Sequence, residues 1–200
     1  MQRRAFDRVV SWAGLALVAL LVTAGSLMTW ANNYVSNEVH NQLASQRIFF
    51  PPKGSEGLTA LPAADRSAMQ QYAGQQLTTG DQAEVYADHF IAVHLKGIGG
   101  GKTYSELSAL AMANPTDQKL AGTVATMFKG ETLRGLLLNA YAFGKMGTIA
   151  GIGALVAFVG GGVILLLSGF GFWHSRRVPA TEKVFDGSHE KITDAAAATR

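Results

Sequence analysis

Val9-Val-Ser-Trp-Ala-Gly-Leu-Ala-Leu-Val-Ala-Leu-Leu-Val-Thr-Ala-Gly-Ser-Leu-Met-Thr-Trp30 contains no charged residue. It exceeds the roughly 20 residues that a helix needs to cross about 30 Å of hydrocarbon. A second uncharged run, Met146 to Trp173, ends Val163-Ile-Leu-Leu-Leu-Ser-Gly-Phe-Gly-Phe-Trp173 and is longer still, so it predicts a tilted span. The two runs predict an all-α membrane protein. Its expected parts are a cytoplasmic N-terminus (1–8), transmembrane helix 1 (9–31), an extracytoplasmic helical domain (32–145), transmembrane helix 2 (146–173) and a disordered cytoplasmic tail (174–200).

Arg3, Arg4 and Arg8 give the first run the basic flank of a signal peptide. The apolar stretch is too long for a cleaved leader and no small-x-small cleavage site follows it, so a retained anchor is expected. Lys and Arg resist translocation, whereas acidic residues count for little. The three arginines before the first span, and Arg176, Arg177 and Lys183 after the second, place both ends in the cytoplasm. Between the spans no basic residue comes near the membrane ends except Arg47 on one side and Arg134 and Lys145 on the other. Trp12, Trp30, Phe170, Phe172 and Trp173 suit the aromatic belts of the two interfaces.

The formal net charge of +3 is no signature of nucleic-acid binding, because eight basic and nine acidic residues nearly cancel within 32–144. The excess lies at the cytoplasmic flanks, where anionic lipid headgroups attract it. No cysteine is present, so neither a disulfide nor a thiolate metal site can brace the domain.

Val35, Val39 and Leu43 recur at four-residue intervals and predict that the first span continues beyond the membrane. Ile48-Phe-Phe-Pro-Pro-Lys-Gly54 must break that helix, since prolines remove donors and bias their predecessors to extended geometry. Helices are expected from Pro62 to about Leu77 and from Asp81 to Leu95, with Thr78-Thr-Gly80 as the stop and cap between them. Tyr86, Phe90 and Val93 mark the apolar face of the latter. Lys96-Gly-Ile-Gly-Gly-Gly-Lys102 predicts a hinge, Thr103 with Glu106 a capped short helix, and Asn114-Pro115 the start of the next. Leu120, Val124, Met127 and Phe128 carry its apolar stripe, and no strong breaker separates Leu133–Phe143 from the second span. No period-two alternation argues for a sheet.

Gln82-Ala-Glu-Val85 followed by His89, Gly100-Gly-Lys-Thr-Tyr-Ser-Glu-Leu107, and Thr132-Leu-Arg-Gly135 ahead of a second span occur here in a characteristic order. Over roughly residues 80–170 the chain thereby resembles an actinobacterial family of small two-span membrane proteins, some of them labelled aromatic ring-opening dioxygenases. The resemblance implies a two-span fold and a high-GC Gram-positive origin, not an activity.

The dioxygenase label can be tested against the histidines, because non-haem iron needs two histidines and a carboxylate on one face. His89 and His94 are five apart on one predicted helix, so they diverge; His40 lies elsewhere. Glu84, Asp88 and His89 are the residues an unrecognised enzymatic site would use. No catalytic, cofactor-binding or metal-binding residue is assigned. Gly99-Gly-Gly-Lys-Thr103 resembles the end of a phosphate loop, but Lys96 occupies the position of that motif's first glycine and no strand precedes it.

Gly147, Ala150, Ala154, Ala157 and Gly161 recur at intervals of three and four, and Gly147-x-x-x-Gly151 adds a close-contact pair. Small residues let helix backbones approach where lipid supplies no hydrophobic drive. These six predict a helix-packing interface. Its counterpart is either the first span, through Gly14 and Gly25, or another integral membrane protein or a second copy. Ionisable groups are missing from the span interiors, which disfavours a pore formed by one chain. The expected function is a non-enzymatic accessory or structural subunit of a larger respiratory or cell-envelope complex in a bacterial plasma membrane. A homo-oligomeric channel or sensor is the alternative and an enzyme the third. Membrane lipid is an expected partner, nucleic acid is not, and no cofactor is expected.

Overall fold

A computed structural model describes residues 3–177 and 179. The chain is all-helical, and among the described residues the sole extended pairing is an isolated antiparallel bridge between Phe49 and Gln76. The helices are α1 (Arg3–Ser45), α2 (Glu56–Thr59), α3 (Ala63–Gln70), α4 (Gly80–Tyr86), α5 (Ala92–Ile98), α6 (Tyr104–Ala113) and α7 (Gln118–Arg177), with a π-helical turn, Ala87–Ile91, joining α4 to α5. α1 and α7 are each long and apolar enough to cross a membrane. Only 11% and 17% of their most apolar stretches is buried within the chain, so these stretches do not form its core. α7 passes without interruption through Gly160-Gly-Gly162 and continues to Arg177, three residues past the start expected for the tail. Positions 178 and 180–200 lie outside the described residues.

The chain divides into two compact units: one formed by the residues up to Thr29 and from Ile152 onward, the other by Trp30–Gly151. In the second, the core gathers Val39 and Leu43 of α1, Phe50, Leu58 of α2, Met69 of α3 and Met127 and Leu137 of α7. Phe50 is 1% exposed and meets the rings of Tyr72 and Tyr86 at centroid distances of 5.3 and 5.4 Å. The proline-bearing break is thus an extended strut that sends Phe50 into the core while Phe49, Pro52 and Lys53 stay exposed. Its backbone is satisfied by residues 74–77: Phe50 N–H donates to the Gln75 carbonyl at 2.9 Å, and Leu77 N–H to that of Ile48 at 2.9 Å.

That pairing explains why α3 ends at Gln70 and not near Leu77. Gly74 turns the chain at φ +75°, and residues 75–77 serve the strut. The buried line of the following helix also differs from expectation. Ala83, Ala87, Ile91 and Leu95 are its innermost residues, with Tyr86, Phe90 and Val93 packed beside them. Alanine carries little hydrophobic signal, yet it permits the closest approach. On α7, Met127 is buried whereas Phe128 is 57% exposed, since adjacent helical residues point about 100° apart.

Local capping follows the sequence closely. Thr103 and Glu106 form a capping box, with Thr103 N–H donating to Glu106 Oε2 at 2.7 Å. Hydrogen bonds from the Thr103 backbone and hydroxyl hold the Glu106 carboxyl below its ordinary value. A second box opens α4: Gln82 N–H donates to Thr79 Oγ1, and Gln82 Oε1 accepts from the N–H groups of Thr78 (2.7 Å) and Thr79 (3.1 Å). Gln82 is 6% exposed. Gln82→Ala therefore strands two donors beside the core and is expected to lower stability by about 1–3 kcal/mol, read as an earlier denaturant midpoint in detergent. An unchanged midpoint would mean that water replaces the side chain.

Candidate functional site

In the unit containing residues up to Thr29, the seam between α1 and α7 is built from small residues on both helices. A Cβ added at Gly14 would strike Ser168, at Gly25 the ring of Phe158, at Gly153 the Met28 sulfur and at Gly171 the Ser11 hydroxyl. Rising numbers on α1 meet falling numbers on α7, so the segments are antiparallel. Ala154 and Ala157 are 4% and 8% exposed, Gly161 faces Leu21, and Ser11, Ser168 and Ser175 are buried. Along α7 the inward positions run 154, 157, 161, 164, 168, 171, 175, a strict alternation of three and four that marks a left-handed helix pair. At its end Arg4 Nε donates to the Ser175 carbonyl at 3.1 Å, Trp12 meets Phe172 edge-on, and the Arg177 guanidinium lies over Trp173.

In the Trp30–Gly151 unit, Gly147 faces Val35 and Ser36, Gly151 faces Asn32, and Ala150 is half-buried. All six small residues singled out in the sequence therefore lie on, or at the edge of, the face that the chain's own α1 covers. Ser168, Gly171 and Ser175 extend the seam. The three-four alternation was legible there, but serine does not announce itself as a packing residue.

A second close approach was not foreseen. Gly80 opens α4 against α7: a Cβ there would stand 3.2 Å from the Ala140 carbonyl oxygen and 3.2 Å from Tyr141 Cα. Gly144 faces Gly80 Cα in return. Lys145 Nζ reaches Asp81 Oδ1 at 2.9 Å, and this pairing holds the ammonium above its ordinary value.

A groove of about 460 Å³ lies between the parts of α1 and α7 that belong to the Trp30–Gly151 unit. Val39, Leu43 and Leu137 form its buried floor, while Tyr34, Leu136 and Phe143 stand exposed at its lips. Glu38, Gln42, Gln46 and Asn139 supply its polar atoms.

Glu84, Asp88 and His89 do not converge on one point. Asp88 accepts from Arg134 Nη2 at 2.7 Å, whereas His89 Nδ1 pairs with Asp65 Oδ1 at 2.8 Å. Asp88 and His89 are adjacent residues of one helical turn, so their side chains leave it in different directions and meet different partners. His94 Nδ1 donates to the Phe90 carbonyl at 2.7 Å. Among the described residues no three His, Asp or Glu side chains gather as a metal cluster would require. In the glycine loop, Gly100 and Gly101 adopt φ +57° and +82°. The N–H groups of Gly100, Gly101 and Lys102 donate to the carbonyls of Gly97, Lys96 and Gly99. The expected hinge is thus a hydrogen-bonded helix terminus whose amides are already engaged.

Compared with protein-family models, curated proteins and solved structures, the chain matches none.

Proposed function

We propose that the chain is a non-enzymatic accessory or structural subunit of a larger bacterial membrane complex, respiratory or of the cell envelope. In this reading α1 and α7 span the plasma membrane, both ends lie in the cytoplasm and the residues between the spans fold outside. The observation that carries it is the exposure of large apolar side chains beyond the expected spans. Ile98, Leu110, Met112 and Phe128 are 49%, 41%, 76% and 57% exposed. Apolar side chains left open on the water-facing part of a protein mark contact surfaces. The small-residue seam is covered by α1, so a partner would meet these external residues and the outward faces of the spans. The separate engagement of Asp88 and His89 supports a structural role for those side chains.

The test is purification of the tagged protein at native expression in mild detergent, followed by native mass spectrometry. Stoichiometric foreign subunits are expected, and Leu110→Glu with Met112→Glu should remove them while the protein stays folded. A closed ring of identical copies would replace this reading with an oligomeric channel or sensor. A lone monomer would direct attention back to an enzyme.

A further inference from the structure

We infer that the groove between α1 and α7 binds the acyl chain of an uncharged lipid, a fatty ester or fatty alcohol, drawn from the outer leaflet of the bilayer. This rests on the topology proposed above, which puts the groove immediately outside the membrane. Its α1 wall runs from Tyr34 to Gln46, about 18 Å at 1.5 Å per residue, which is the reach of a long acyl chain. A slot of this length and about 460 Å³ has room for one hydrocarbon chain.

Apolar surface continues from the groove toward the expected spans. At that end Tyr34 stacks on Trp30 at 5.7 Å, and Met146 and Ile149 on α7, 61% and 68% exposed, prolong the apolar surface. Exposed lips at Leu136 and Phe143 would otherwise meet water, at a cost that an acyl chain removes. The lining residues include no cation, and their one charged group is Glu38, whose Oε1 accepts from Gln42 Nε2 at 2.6 Å. An anionic headgroup would face that carboxylate with nothing to neutralise it. The amides of Gln46 and Asn139, which no other described side chain engages, match an ester or hydroxyl instead.

The decisive experiment uses a monoacylglycerol with a diazirine at the end of its chain, added to the full-length protein in phosphatidylcholine nanodiscs. With the ester at Gln46 and Asn139 the chain end lies at the other end of the groove, and illumination is expected to label Tyr34, Val35 or Phe143. Leu136→Trp, a change at an exposed lip, should reduce that labelling about tenfold while labelling of the outward face of residues 149–173 persists. Leu133→Trp serves the same purpose should the first variant misfold. Unlabelled monoacylglycerol should compete, and lysophosphatidic acid of equal chain length should not. Labelling confined to the spans, groove labelling indifferent to both tryptophans, or crosslinks joining two copies through the groove would each overturn the inference. The cysteine-free chain also allows Lys53→Cys, at an exposed loop position outside the contact residues named above, to be probed in intact cells with a membrane-impermeant maleimide. Reaction there without groove labelling would defeat the lipid site alone, whereas protection would defeat the topology and the lipid site together.

Discussion

Gly80→Val is expected to lower the stability of the helical domain by about 3 kcal/mol, the upper end for inserting bulk into a packed site. The reason is the identity of the neighbours. At most helix contacts an added methyl group meets side chains that can rotate away. At Gly80 it meets the Ala140 carbonyl oxygen and Tyr141 Cα, both 3.2 Å from the new Cβ, and α7 cannot yield without shifting as a whole. Gly144→Val should act from the other side, because its Cβ would lie 3.3 Å from Gly80 Cα. The loss would appear as an earlier denaturant midpoint with an unchanged slope. A midpoint indifferent to both substitutions would show that α4 and α7 stand further apart than described.

Phe50→Ala should cost about 3–5 kcal/mol, as truncating a fully buried aromatic does. The neighbouring Phe49→Ala is the internal control, expected within about 0.5 kcal/mol of the parent. Phe50 is 1% exposed between Tyr72 and Tyr86, while Phe49 is 56% exposed. An extended segment sends successive side chains to opposite faces, so two identical residues in a row should differ by most of the energy of a buried ring. Equal effects would mean that residues 48–50 do not run extended through the core.

The same strut shows where reading the chain alone stops. Two prolines after Phe50 predict a break in α1, and a break is there. Its depth depends on residues 74–77, about 25 positions away, whose carbonyls and amides satisfy the strut and end α3 early. Asp88 and His89 follow the same logic. The five-residue spacing of His89 and His94 could be judged in advance, but Arg134 and Asp65 as the partners of Asp88 and His89 could not, because they lie 46 and 24 positions away in the chain. The groove floor was half legible. Val39 and Leu43 announce an inward face by their period, while Leu137 sits in the run Leu136-Leu-Leu138, in which no period singles it out.

By itself the sequence determined what is local. Two uncharged runs set two helices long and apolar enough to cross a membrane. Thr103 with Glu106 set a capping box, and the three-four recurrence of Gly147, Ala150, Ala154, Ala157 and Gly161 set a face for close packing. Each depends on residues within a turn or two of one another, or on a period repeated along one element. Only the tertiary structure decided what comes close. A glycine states that a backbone approaches but, having no side chain, carries nothing about which one. Gly80 could be read as a helix stop until Ala140 and Tyr141 were seen against it, and the small-residue stripe could have served a foreign helix until Leu21, Asn32 and Val35 were found against its glycines.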